Sequence, residues 1–275
     1  MNNITSLSHG LVFAMLIVVV LTCPALASNW NVDSDGDWTN DANWDTAHPD
    51  GSTETANFNV TMSDNRTVTL DDNITVNQAI FDGSSGYDWT LNRTASEVLT
   101  LDGDDPLLRA SLGTSETATI NVPVTIAGNG TGDALIDCDL NANFSGLTLD
   151  QDINLSRNLK IQANFCSVTV DGSITGNGDV HIDHGHRAVK LRGSNNSFTG
   201  DLFISNSAGA GDKVEVSSLP TDVAVDIGSG ATLGLNTHAT FSALTGSGSL
   251  GPGNPHPIVT LNVESGTQEI GPTAN

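Results

Sequence analysis

Short runs of alternating apolar and polar residues dominate the chain from residue 66 onward. In the stretch 189–250 these runs are rich in Val, Ile, Leu and Thr, and Gly, Asn, Asp and Ser separate them. No segment of helix length with a 3.6-residue period interrupts them. Alternation at every second position is typical of a β-strand with one buried face. The pattern therefore predicts an all-β protein built from many short strands.

The predicted strands share a short length and turn residues at both ends. They cover residues 67–70, 74–81, 98–101, 118–126, 147–149, 167–170, 180–183, 189–191, 202–204, 223–227, 232–235 and 259–263. A spacing of about 8 to 12 residues fits a sandwich, a barrel or a solenoid equally well. Strand spacing alone leaves these three architectures open.

Two further observations favour a solenoid. The sequence ITGNGDV at 174–180 recurs in form as LTGSGSL at 244–250, a distance that equals three coils of ~23 residues each. Aromatic residues make up only 5% of the chain, so Val, Leu, Ile and Ala must fill the interior. Stacked strands allow like aliphatic residues to lie over one another in a narrow coil. We expect roughly nine coils in a rod about 40 Å long.

Three of the four tryptophans, Trp30, Trp38 and Trp44, lie close together near the start of this pattern. The open end of a repeat stack needs a cover for its hydrophobic face. We therefore predict an N-terminal capping segment over residues 28–65 and a β-solenoid domain over residues 66–275.

The first 27 residues have the pattern of a signal peptide. An apolar run at 11–21 is broken by Pro24, and Ala25 and Ala27 stand where a signal peptidase needs small residues. The run is too short to span a bilayer of about 30 Å. We expect cleavage before Ser28, a secreted or outer-surface protein, and no membrane span in the mature chain.

Charge and cysteine content narrow the class further. The chain carries 32 Asp plus Glu against 9 Lys plus Arg, a formal net charge of −23, which argues against nucleic acid as a partner. Hydrophobic residues make up 37% of the chain and recur with the period of a strand, which favours a folded protein over disorder.

Export permits a disulfide between Cys138 and Cys166. One pair makes no disulfide scaffold, and we interpret both as small buried apolar residues.

Two segments hold the candidate metal-ligating residues. Asn31, Asp33, Asp35, Gly36 and Asp37 imitate the start of a calcium loop, although position 12 counted from Asn31 is Ala42, where a bidentate Glu is required. In a strand, His181 and Asp183 share one face, which makes a His/carboxylate metal site or an acid/base pair conceivable. For both segments the alternative is a solvated turn or coil corner, and we name no catalytic or cofactor-binding residue.

Several of these segments resemble a known repeat family. The stretches SLPTDVAVDIGSGATL at 218–233 and FSALTGSGSL at 241–250 are similar to the autotransporter-associated β-strand repeat of exported bacterial proteins. The stretch LRGSNNSFTG at 191–200 resembles the opening of that repeat, and WTNDANW at 38–44 resembles the start of many proteins that carry it. The resemblance implies a right-handed parallel β-helix of the passenger type, used in adhesion and display. No translocator barrel follows Asn275, so release, an incomplete chain and a partner that holds the protein all stay open.

We carry three functional hypotheses from these patterns. The first is an exported non-catalytic β-solenoid that acts as a surface, matrix or adhesion element. The second is a carbohydrate-binding or polysaccharide-active β-helix protein, with surface polysaccharide as its partner. The third is a structural protein stabilised by Ca²⁺ through its Asp-rich turns.

Overall fold

The computed structural model describes residues 26–83, 86–128, 130, 132–139, 145–206, 213–221, 223–237, 239–252 and 259–261. The predicted leader therefore lies outside the described residues, apart from its last two positions. In the described part of the chain the only helical segment is a 3-10 turn at Asp41–Asn43. No helix within these ranges is long and apolar enough to cross a bilayer.

The described strands are short and follow one another with brief corners between them. They are β1 Ala27–Asn29, β2 Gly36–Asp37, β3 Gly51–Phe58, β4 Arg66–Leu70, β5 Ile74–Gly83, β6 Trp89–Arg93, β7 Leu99–Leu101, β8 Leu107–Leu112, β9 Thr117–Ile120, β10 Val124–Ile126, β11 Ala134–Cys138, β12 Gly146–Leu149, β13 Ile153–Leu155, β14 Leu159–Ala163, β15 Ser167–Val170, β16 Ile174–Gly176, β17 Val180–His184, β18 Val189–Leu191, β19 Ser197–Phe198, β20 Leu202–Ser205, β21 Val214–Val216, β22 Val223–Ile227, β23 Thr232–Leu235, β24 Ala239–Gly246, β25 Ser249–Pro252 and β26 Val259–Leu261.

These strands form a three-faced parallel β-helix. Face A is a ten-stranded sheet in the order β2-β4-β6-β9-β12-β15-β18-β21-β23-β25. Faces B and C belong to one sixteen-stranded sheet that bends at β5, which pairs with β7 through residues 74–76 and with β8 through residues 78–83. Face B continues from there through β10, β13, β16 and β19, and face C through β11, β14, β17, β20, β22, β24 and β26. Every pairing between named strands is parallel, which confirms the predicted solenoid.

Coil length matches the expected period in the middle of the rod. Leu159 of β14 pairs with Val180 of β17, and Val180 pairs with Leu202 of β20, so successive coils are 21 and 22 residues apart. Earlier coils are longer, because Gln78 of β5 pairs with Leu107 of β8, 29 residues later. The ten strands of face A give a column about 43 Å long at ~4.8 Å per strand.

The tryptophans close the leading end as predicted. Trp30, Trp38 and Trp44 are buried, and their rings lie 5.4 to 6.1 Å from Phe58. Phe58 in turn stacks on Phe81 of the next coil at 4.5 Å. The indole Nε1 of Trp38 donates to the carbonyl of Pro49, and that of Trp44 donates to the carbonyl of Trp38. The polar atom of each of these two buried rings therefore has a hydrogen-bond acceptor.

Two sequence interpretations are corrected by the structure. The similar heptapeptides at 174–180 and 244–250 lie at different corners, since the first follows a strand of face B and the second a strand of face C. What they share is a glycine at positive φ, Gly176 and Gly246, placed directly over a backbone carbonyl of the preceding coil. The motif therefore marks a tight corner, where a side chain would collide with the coil below.

The second correction concerns the cysteines. Cys138 at the end of β11 and Cys166 in the corner before β15 form a disulfide with a Cα–Cα distance of 5.6 Å, where we expected two separate thiols. Their sequence separation of 28 residues is close to one coil, so the wrapping of the chain brings them together. The disulfide thus ties one coil to the next in the middle of the rod.

Replacing both cysteines by alanine is expected to lower the free energy of unfolding by about 3 kcal/mol, because a 28-residue loop is no longer closed in the unfolded chain. Denaturant unfolding checks this value. Dithiothreitol should lower the stability of the parent protein toward that of the variant and leave the variant unchanged. Equal stability of parent and variant would contradict a disulfide here.

Candidate functional site

The histidine-rich segment predicted as a site forms strand β17 on face C. Val180, Ile182 and His184 are buried, whereas His181 and Asp183 alternate with them and point outward. The predicted shared face of His181 and Asp183 is therefore correct. Alternation along the strand places these two side chains on the outer surface and not in a groove.

Parallel register gives each outward residue of β17 a neighbour above and below. His181 lies between Lys160 of β14 and Phe203 of β20. Its ring packs against Phe203 with ring centroids 4.6 Å apart, and its Nε2 lies 4.0 Å from Oδ2 of Asp179. The other Asp179 oxygen accepts the backbone N–H of Asp201 at 2.9 Å.

This arrangement provides one imidazole, one distant carboxylate and an aromatic ring. A metal centre requires three or more converging ligands, and among the described residues no group of three His, Cys, Asp or Glu side chains is placed to hold a metal ion. What the geometry offers is a half-buried imidazole that packs on an aromatic ring of the sheet, with its Nε2 atom shielded from solvent. Such a surface suits contact with an extended ligand better than chemistry in an enclosed pocket.

A second aromatic pair lies at the corner that follows face C. Phe165 is 36% exposed, and its ring stacks on that of His186 with centroids 5.1 Å apart. Sequence reasoning missed this pair, although a phenylalanine inside a polar turn is a usable signal. Face C and its edge thus have two ring pairs, the exposed one at Phe165 and His186 and the half-buried one at His181 and Phe203.

The N-terminal aspartates serve the backbone of the next coil. Asp33 accepts the backbone N–H of Ser63 at 3.1 Å and the Nε–H of Arg66 at 2.7 Å. Asp35 accepts the backbone N–H of Thr67 at 2.8 Å, and Asp37 lies in β2, paired with Thr69. Arg66 and Ser63 together lower the pKa of Asp33 from 3.8 to about 2. The three carboxylates thus do not converge on one point, and calcium binding here stays a prediction.

The same use of Asp and Asn recurs at the corners along the rod. In each case the side-chain oxygen of one coil accepts a strand-entry N–H of the coil after it, at 2.7 to 3.0 Å. Asn65 accepts the N–H of Asp88, Asp88 that of Thr117, Asn73 that of Val98, Asp152 that of Ser173 and Asn158 that of Asp179. The abundance of Asp and Asn therefore has a structural cause, since corner N–H groups lack a partner within their own coil.

Two arginines, the buried Arg157 and the partly exposed Arg109, bind groups of the protein itself. Arg157 donates through Nε, Nη1 and Nη2 to the carbonyls of Ala127, Gly132 and Gly103, and so joins three successive coils at one corner. Arg109 on face C donates to Asp137 at 2.9 Å. Burial raises the pKa of Asp137, and the Arg109 contact opposes that rise. Neither arginine faces an open site.

A cleft of about 710 Å³ forms where face B ends. Its lining runs from Ser194 to Asp201 and from Ser218 to Thr221, together with Val223. Asn196 is buried at its base, accepts the N–H of Ile174 at 2.7 Å and donates to the carbonyl of Ser218 at 2.8 Å. Serine, threonine and asparagine dominate the lining, and the cleft holds a single carboxylate, that of Asp201. Its composition fits a polar neutral ligand better than hydrolysis by a carboxylate pair.

Comparison with protein-family models, curated proteins and solved structures finds no match for this chain.

The substitution Asp33→Asn is expected to lower the melting temperature at neutral pH. Because the pKa of Asp33 is lowered to about 2 in the folded protein, its contribution is present above the ordinary value of 3.8 and is lost as pH falls through about 2. Thermal melts from neutral pH downward should show the gap to the parent protein closing over this window.

Asp104→Asn is the matched control, since Asp104 is exposed and its side chain has no hydrogen bond to any residue the structure describes. It should melt like the parent protein. A gap for Asp33→Asn that stayed constant down to low pH would exclude the ionised carboxylate as its cause.

Adding excess Ca²⁺ or a chelator is expected to leave the melting temperature unchanged. Asp33 and Asp35 already accept protein N–H groups, and a ligand that binds only the folded state must raise its stability. Calorimetry of the chelated protein with and without added Ca²⁺ measures this. A rise with Ca²⁺ that Mg²⁺ fails to reproduce would support the calcium hypothesis.

Proposed function

We propose that this protein is an exported, non-catalytic β-solenoid that acts as a surface, matrix or adhesion element. The observation that carries the proposal is the use of its polar groups. Asp and Asn side chains cap the backbone at the corners, while the outward residues of the strands form long in-register rows. A molecule organised in this way offers extended binding faces.

Export is supported by two independent features. The leader pattern at residues 1–27 is that of a signal peptide, and a disulfide such as Cys138–Cys166 persists in oxidising compartments. The resemblance to autotransporter-associated repeats adds the bacterial surface as the expected location. The net charge of −23 suits a hydrated exterior and disfavours anionic partners such as nucleic acid.

The second candidate is a carbohydrate-binding or polysaccharide-active protein. It is favoured by the two ring pairs on the outer surface, the half-buried Phe203 with His181 and the exposed Phe165 with His186, since sugar rings pack on aromatic faces. Surface polysaccharide is the partner this candidate implies. It differs from the first proposal in requiring these rings, and in its enzymatic form it also requires release of cleaved product.

The experiment expresses the full chain in a Gram-negative host and follows its location and its N-terminus. We expect exported protein that begins at Ser28. The exported protein is then run through gels containing bacterial surface polysaccharides, and the same mixtures are assayed for new reducing ends. Cytoplasmic retention would exclude the exported role, and new reducing ends would exclude the non-catalytic one.

A pair of variants separates the two candidates. Phe203→Ala and Phe165→Ala remove the phenyl rings of the two pairs, and Thr125→Ala on face B is the control at a half-exposed strand position like that of Phe203. Polysaccharide retardation that both Phe variants lose and the control keeps would establish the carbohydrate-binding candidate. Retardation that is equal in all three would place binding elsewhere on the rod.

A further inference from the structure

Face A carries an unbroken row of threonines along its outer surface. The row, here called the threonine column, consists of Thr67, Thr90, Thr119, Thr148 and Thr169. Each is paired in register with the next, so one threonine follows another through five successive coils. At a strand spacing of ~4.8 Å the column is about 19 Å long.

The threonine column is held rigidly. Each member is followed along its strand by a buried aliphatic residue, such as Leu91 after Thr90 and Val170 after Thr169, so every threonine side chain points outward. A β-branched side chain in a strand has few χ1 rotamers. Two residues earlier along three of the strands, Thr117, Gly146 and Ser167 form a second in-register row of small residues on the same face. The surface is therefore flat as well as regular.

The side chains of the threonine column are uncharged, and the residues that the structure describes do not bind their hydroxyl groups. Each side chain presents one hydroxyl and one methyl group, and in the described part of the chain none of these five hydroxyls takes part in a hydrogen bond with protein. The column itself carries no charge, but charged residues surround it: Lys190 and then Glu215 continue the register past its end, Asp88, Asp150 and Asp171 stand two positions from Thr90, Thr148 and Thr169, and Arg66 lies next to Thr67. In a chain of net charge −23, an uncharged column of this length fits an uncharged occupant.

We propose that face A binds ice through the threonine column. The occupant must be neutral, flat and periodic at the strand spacing, and an ice surface presents water oxygens at nearly that repeat. Hydroxyl groups held in fixed positions can take the places of lattice waters, and the methyl groups between them favour ordered water over bulk water. Sugar chains fit less well, because the column contains no aromatic ring on which a pyranose could stack. This inference names a partner for the proposed surface role. It rests on that role in one respect, namely that the protein binds its partner through one face of the rod.

The test uses the full chain without its leader, with its disulfide formed, and measures two properties. One is the fraction of protein that partitions into slowly growing ice, and the other is the growth of ice grains in an annealed frozen film. We expect enrichment in the ice and arrested grain growth for the parent protein. Serum albumin at equal concentration is the reference, and a parent protein that behaves like albumin would overturn the proposal.

Matched variants locate the binding face. Thr119→Lys and Thr148→Lys place a long charged side chain in the middle of the column, and both should lose ice partitioning. Gln162→Lys is the control, because Gln162 lies in the same coil as Thr148, is also half-exposed and belongs to face C, where its register neighbours are Asp137 and Asp183. Equal loss in the control, or retention in both face A variants, would overturn the assignment to face A.

Folding is controlled separately. Thr148→Tyr uses a residue that favours strands but protrudes from the flat surface, so it should keep the parent melting temperature and lose ice partitioning. A folded Thr148→Tyr that still partitions into ice would contradict the proposal. Export and polysaccharide retardation are measured in other assays. A protein that does not bind ice can therefore still have the proposed function, and a protein that is not exported can still be tested for ice binding.

Discussion

In-register parallel pairing of one coil on the next is the constraint on which the rest of this structure depends. Most strand residues lie over a counterpart in the previous coil, so a column of the interior can consist of aliphatic side chains over many coils. One such column consists of Val68, Leu91, Ile120, Leu149, Val170, Leu191, Val216 and Leu235, each at most 1% exposed. Burial of a leucine or valine is worth roughly 2 kcal/mol, and each coil repeats that gain.

The corners show the cost of the same arrangement. A chain that turns sharply three times per coil leaves backbone N–H and C=O groups without strand partners. Asp and Asn side chains accept many of the N–H groups, and Arg157 donates to three of the carbonyls. A large part of the acidic composition therefore satisfies the backbone, and the isolated acidic motif at Asp33 and Asp35 is one example of a general use.

Sequence reasoning predicted the fold class and the capping tryptophans because both depend on local patterns. It missed β6, β8, β11, β13, β14, β16, β21, β24 and β25, although LKIQA at 159–163 alternates clearly. It also joined β9 to β10, because the intervening corner at 121–123 is short. The disulfide was missed since pairing depends on coil length, which varies from corner to corner. Alternation did place His181 and Asp183 on one face, whereas the contact of His181 with Phe203 requires the register between coils. The threonine column needs that register as well, because its members are 21 to 29 residues apart in the sequence.

The aromatic plug at the leading end gives the rod a direction of assembly. All of its ring contacts fall within residues 30–89, so this nucleus is complete before most of the chain is needed. Each later coil can then pair with the edge of a coil that is already folded, and the entropy cost is that of closing a loop only one coil long. The two ends of the rod therefore differ: the N-terminal end is closed by aromatic rings, and further coils are added at the other edge.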